Sequence, residues 1–320
     1  MRRELLTWGV IVAFVVIAFG GVVLILNATL YSASGFVGSY LAALERRDAD
    51  AALELTGPSV AGDASSELLT RDAMGSVSDT QFISDVDTDG THRVVFSYLA
   101  GDEPGQTAFE VHRAGSLFGL FSTWAFVESP LAVVHINVMN DARFNANGVE
   151  LVSPAPNDPA PYLVFTPGSL ALDHESTYLE AATVTVTVTE PGASVPTAID
   201  VEANDDFVAA AQKAVNAHLR ECTTQAILMP TGCPFGYPVT NRIVTPPLWS
   251  IITYPVATIK PRETAGEWQM PRTAATAHIV VDVKSLFDGT ITTVDEDVPF
   301  TVAYRISIAA DDVVVVTAID

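Results

Sequence analysis

Three groups of residues have the types and spacing to do chemistry. Asp85-Val86-Asp87-Thr88-Asp89-Gly90 puts a side-chain oxygen at every second position and a glycine at the sixth, which is how a calcium loop opens. The twelfth position, which should supply a bidentate carboxylate, is Phe96. That missing ligand favours the competing reading, a hairpin turn on Asp89-Gly90. Cys222 and Cys233 are the only cysteines. In an oxidising compartment they are expected to form a disulfide that staples the end of a helix to the following loop. The alternatives are a redox pair, which ordinarily needs Cys-x-x-Cys at a helix start, and a metal pair, which has no better support. Asp295-Glu296-Asp297 reads as a solvated turn rather than a metal site.

The histidines, His92, His112, His135, His174, His218 and His278, form no His-Glu-x-x-His or other close pair that would assemble zinc ligands. Gly-x-Ser-x-Gly, Ser-x-x-Lys, Gly-x-Gly-x-x-Gly and the phosphate-binding Gly-Lys-Ser/Thr do not occur. No catalytic, metal-binding or cofactor-binding residue is therefore assigned, and no cofactor is expected. An enzyme of isomerase or hydrolase type would need a buried carboxylate with a polar partner, a pairing that sequence does not display. Trp124, Trp249, Trp268 and Tyr254 could line a pocket, but aromatics on strands ordinarily serve the core.

These residues must be positioned by a chain with 38 acidic and 16 basic residues, a formal charge of −22. Such a balance repels nucleic acid, so no nucleic-acid partner is expected. Residues 5 to 26 carry no charge and are apolar on every face, long enough for a ~30 Å hydrocarbon core. Arg2 and Arg3 precede the run and no basic residue follows it until Arg46. The positive-inside bias then predicts a cytosolic tail over 1–4, an uncleaved single-pass anchor over 5–28 and an extracytoplasmic remainder at the cell membrane. A cleavable signal peptide would have a shorter apolar core and a small-x-small site.

Outside the anchor the pattern is α+β. Phe36, Val37, Tyr40, Leu41 and Leu44 mark one helical face, and Asp48 caps a second short helix ending near Leu55 and Gly57. Alternating segments at 80–86, 92–99, 106–113 and 120–128 predict an antiparallel sheet, closing a domain over 31–128. Short strands around 131–139, 143–152, 162–165 and 181–189, punctuated by prolines, predict a small all-β, sandwich-like module within 129–200, with residues 190–203 as a linker. A helix capped by Asn204, carrying Phe207, Val208, Ala211, Val215, Leu219 and Cys222 on one side, opens a second α+β domain over 201–320. Strands are expected there at 249–259, 277–283, 299–308 and 313–319.

The run Phe36-Val37-Gly38-Ser39-Tyr40-Leu41-Ala42-Ala43-Leu44, followed by Asp48 and Ala51-Ala52-Leu53, resembles the helical opening of the membrane-tethered NTF2-like domains of bacterial envelope proteins. Residues 204–320 look like a second copy in element order, and the whole resembles actinobacterial envelope proteins. The resemblance implies a curved sheet wrapped by helices around a cone, used in relatives as an enzyme pocket, a ligand site or a structural core. It carries over no active-site residue. The expectation is a non-enzymatic, membrane-tethered extracytoplasmic scaffold with an envelope protein or wall polymer as partner. The alternative is a small-ligand-binding protein using a cone or an inter-domain cleft.

Overall fold

The computed structural model describes residues 2–57, 62–309 and 311–319. The chain opens with helix α1 (Arg2–Ala28), whose stretch from Ile11 to Ala28 is wholly unburied. It is long and apolar enough to cross a membrane. Helices α2 (Ala33–Glu45) and α3 (Ala49–Thr56) follow, capped by Ser32 and Asp48, whose side chains accept from the amides of Gly35 and Ala51. The break between them falls at Arg47, in the left-handed region at φ 54°.

Strands β1 (Val77–Thr88), β2 (Thr91–Ala100), β3 (Glu103–Leu117) and β4 (Phe121–Phe126) form a sequential antiparallel sheet. Val37, Tyr40, Leu41 and Leu44 of α2 bury against Val94, Phe109 and Val111 of this sheet. Rings of Phe36, Tyr40, Phe109 and Phe126 fill the space between helices and sheet, with centroids 4.9 to 6.1 Å apart.

Two sheets make the middle of the chain. One contains β5 (Leu131–Met139), β8 (Pro159–Phe165) and β11 (Ser194–Asp200). The other contains β6 (Arg143–Ala146), β7 (Val149–Val152), β9 (Gly168–Glu175), β10 (Leu179–Val188) and β12 (Glu202–Ala203). Their apolar faces share a core in which Phe144 meets Tyr162 edge-on at 5.7 Å. Two expectations need correcting. Residues 190–203 are no linker, because β11 pairs in parallel with β5 along Ser194–Asp200 and β12 pairs with β10. The segment 143–152 is two strands, because Asn147 and Gly148 take φ of 50° and 83° and fold it into a hairpin.

Helix α4 (Asp205–Thr223) is capped by Asn204, as expected, and buries Phe207, Ala211, Val215, Leu219 and Cys222. It packs on the last sheet, built from β13 (Arg242–Ile243), β14 (Leu248–Thr253), β15 (Lys260–Pro261), β16 (Trp268–Lys284), β17 (Ile291–Ile308) and β18 (Val314–Ile319). The three short strands all pair with β16, as one interrupted edge. Helix first, then a sequential antiparallel sheet, is thus the order at both ends of the chain. Strand β14 stops at Thr253, six residues short of the expected end, where Pro255 and Pro261 bracket irregular chain. Asp295-Glu296-Asp297 lies within β17 and is not a turn.

What joins the first unit to the middle one is a set of buried polar contacts. Tyr40, fully buried, aims its hydroxyl at the carbonyls of Pro130 (3.0 Å) and Thr166 (2.9 Å). Ser65 bridges β8 through backbone bonds to Pro161 and Leu163. Gly75 lies so close to Ser169 that a Cβ would sit 2.0 Å from its carbonyl oxygen. The middle and last units share one continuous core, with Tyr178 against Phe207 (5.5 Å) and Phe207 against Trp268 (5.7 Å).

Tyr40→Phe should destabilise the protein by about 1–3 kcal/mol, because it leaves the buried Thr166 carbonyl without its donor. Chemical denaturation followed by tryptophan fluorescence will read this. The same groups set a pH window. Burial raises the hydroxyls of Tyr40, Tyr98, Tyr162 and Tyr304 above their ordinary 10.0, so the unfolded chain ionises first and stability should fall as pH rises past about 10. Burial lowers His174 from 6.5, so the unfolded chain takes up that proton first and stability should decline as pH drops below about 6.5. Asp141, which burial alone would raise, is held below 3.8 by hydrogen bonds and charge from Arg143, and its contribution is lost last, in stronger acid. Melting temperatures between pH 3 and 11 check both arms.

Candidate functional site

A concavity of about 930 Å³ opens where the first unit meets the middle one. Its wall comes from three places. Helix α3 ends there, at Thr56, because Gly57 adopts φ 73° and turns the chain away. Strand β4 supplies Trp124 and continues into Glu128 and Ser129. Strands β5 and β8 supply Leu131 and Leu163. Phe36 from α2 completes an apolar floor, and the exposed carboxylates of Glu54 and Glu128 stand at the rim.

Both sides of this cleft are fixed. Trp124 donates its indole N–H to the Tyr31 carbonyl at 2.8 Å, which sets the ring's orientation. Glu128 packs against Gly192, where an added Cβ would overlap the carboxylate. The Tyr40 hydroxyl lies beneath, bonded to the residue on which the chain leaves the cleft, Pro130. Among the described residues, no histidine, lysine or cysteine lines the space. The arrangement suits binding: an apolar surface for contact and two negative charges for orientation.

The residues singled out by sequence lie elsewhere and do not converge. Asp89-Gly90 forms a two-residue hairpin turn, with φ of 52° and 87°, and the Gly90 amide donates to Asp87 at 2.9 Å. Asp85 and Asp87 instead flank His92, at 2.7 and 3.7 Å from its two ring nitrogens. Asp297 and Asp295 flank His278 in the same manner, at 2.7 and 3.0 Å. The two clusters are on separate sheets, and among the described residues no group of three His, Cys, Asp or Glu is arranged to hold a metal ion. Trp249 and Trp268 are core residues, 7% and 1% exposed, and Tyr254 packs on the same core. Trp124 departs from expectation, because it lines the cleft.

Cys222 and Cys233 are bonded to each other. The bridge closes the loop beside His218, whose Nδ1 lies 2.9 Å from the Tyr304 hydroxyl, a group that burial pushes up to about 12. His218 and Arg272 line another concavity, of about 700 Å³. Comparisons with protein families, curated proteins and solved structures gave no match.

Sequence reasoning missed Glu54, Glu128, Ser129 and Leu163. Nothing in their local pattern marks them, since the cleft draws them from segments far apart in the chain.

Because the bridge closes an eleven-residue separation, Cys222→Ser with Cys233→Ser should cost on the order of 3 kcal/mol on the chain-entropy account. The loss should fall on the last unit, read as a lowered denaturation midpoint, with the cleft at the first junction unchanged.

Proposed function

We propose that this chain is a non-enzymatic, membrane-tethered scaffold of the cell envelope that holds a protein partner in the cleft between its first two units. The observation that carries this reading is the cleft's composition: an apolar floor of Phe36, Trp124, Leu131 and Leu163 under a rim of Glu54 and Glu128. Such a surface suits a segment that brings apolar side chains and a basic residue, and suits a hydroxyl-rich wall polymer less well. Arg2 and Arg3 ahead of the apolar run of α1 support a single span with the bulk of the chain outside the cytoplasm, and the Cys222–Cys233 bridge supports an oxidising compartment. The order of helix then sequential sheet in 31–128 and again in 201–320 supports the NTF2-like reading of both regions. In each, aromatic side chains fill the interior, which moves binding from the cones to the junction.

A second reading, extracytoplasmic binding of a small apolar ligand, is favoured by the cleft's volume, which falls within the usual range for small-molecule sites.

Native mass spectrometry of the full-length protein, extracted in mild detergent from its own membrane, tests both. The scaffold reading expects a stoichiometric protein mass on the wild type, held on the order of tenfold more weakly after Glu54→Lys with Glu128→Lys. A reproducible adduct of ligand size in place of a protein would transfer the assignment to the second reading. A bare chain in every preparation would sink both.

A further inference from the structure

At the membrane end of the first sheet, the last turn of α1 is bonded to the hairpin between β3 and β4. Asn27 at the end of the apolar helix donates its side-chain amide to the Leu120 carbonyl at 2.8 Å and accepts from the Ser122 amide at 2.9 Å. One side chain thus imitates a neighbouring strand. Four residues further on, the Tyr31 ring stacks on Phe121 at 4.5 Å, and its carbonyl accepts from Trp124. Going back along β4 from Trp124 to Ser122 to Leu120, the contacts move from Tyr31 to Asn27, towards α1. The hairpin tip beyond Leu120 therefore points along the helix in the direction of its apolar run.

That tip is built as an apolar wedge. Leu120 N–H donates to Leu117 C=O at 3.0 Å, closing a turn whose central residues Phe118 and Gly119 have φ of 53° and 71°. Glycine tolerates this conformation, but a bulky aromatic rarely adopts it. Phe118 is nonetheless 86% exposed, and Leu117 and Leu120 beside it are more than two-fifths exposed. Residues 114–127 include no charged side chain, in a chain that is otherwise strongly acidic. The turn beyond Leu120 carries Phe118 past Asn27, alongside the preceding turn of α1. The surrounding face of α1 there, with Val22, Leu24 and Ile25, is as exposed and apolar as the tip.

We infer that the Leu117–Leu120 hairpin tip inserts into the leaflet from which α1 emerges, so that the protein meets the bilayer at two points. An uncharged tip enters without stripping water from any ion, which distinguishes it from the other fully exposed aromatic tip, Phe287, flanked by Lys284 and Asp288. With the tip embedded, the first unit can no longer swivel about α1, and the cleft faces a fixed direction relative to the membrane.

This inference rests on α1 spanning the bilayer, so its test reports on both. Full-length protein carrying the photo-reactive residue p-benzoylphenylalanine at Phe19, Phe118 or Phe287, one position at a time, is reconstituted in uncharged phosphatidylcholine vesicles and irradiated. Adducts are identified by mass. All three are exposed phenylalanines, so the replacements change no buried packing. The expected result is lipid adducts at Phe19 and Phe118, each several-fold above Phe287. Adducts at Phe19 with Phe118 no higher than Phe287 would overturn the second contact and leave the anchor standing. Absence of adducts at Phe19 would overturn the anchor and, with it, this inference. A protein adduct in place of lipid at Phe118 would make the tip a protein-docking element and likewise overturn it.

Discussion

A buried carbonyl must find a donor, and the junction between the first two units is arranged around that need. Pro130 follows β4 and Thr166 follows β8; the Thr166 amide donates to the Pro130 carbonyl, and the buried Thr166 carbonyl is left for a side-chain donor. Tyr40 is the side chain long enough to reach from α2 to both. Because its ring also packs against Phe109 and Phe126, the same residue closes the aromatic interior of the first unit and docks that unit on the next. The cleft exists because the docking is made at this depth and leaves the outer parts of α3 and β5 apart.

Most of the element plan was legible in the sequence. Asp48 and Asn204 announced helix starts because a short polar side chain before an apolar periodic run has one economical use, accepting from the first free amides. Asp89-Gly90 announced its turn in the same local way. The Asn147-Gly148 turn was equally available but lay inside a segment short enough to pass for one strand. Strand β11 was not legible, because it pairs with a strand about sixty residues earlier and its own pattern, interrupted by Pro196, resembles connecting chain. Long-range pairing is invisible to a local reading.

The site was less legible than the fold for a related reason. The motifs with chemical spacing turned out to be local devices: a turn, a bridge, and two imidazoles each held between carboxylates. The cleft, by contrast, takes Phe36, Glu54, Glu128 with Leu131, and Leu163 from four separate segments, and in each segment the residue looks ordinary. Trp124 shows the difficulty in one side chain. Its strand position predicted core, its ring does rest partly on core, and its remaining face is open only because the middle unit stops short of covering it.

The parallel pairing of β11 with β5 also sets an order of events for a chain made from its N-terminus. Neither the three-stranded sheet of the middle unit nor the common core that unit shares with α4 can close until residue 200 and the helix after it have emerged. Tyr40 waits likewise for residues 130 and 166. The docking of the first unit on the middle one must therefore wait until more than half of the chain is delivered. Until then the chain is a highly negative polymer whose self-repulsion opposes premature collapse.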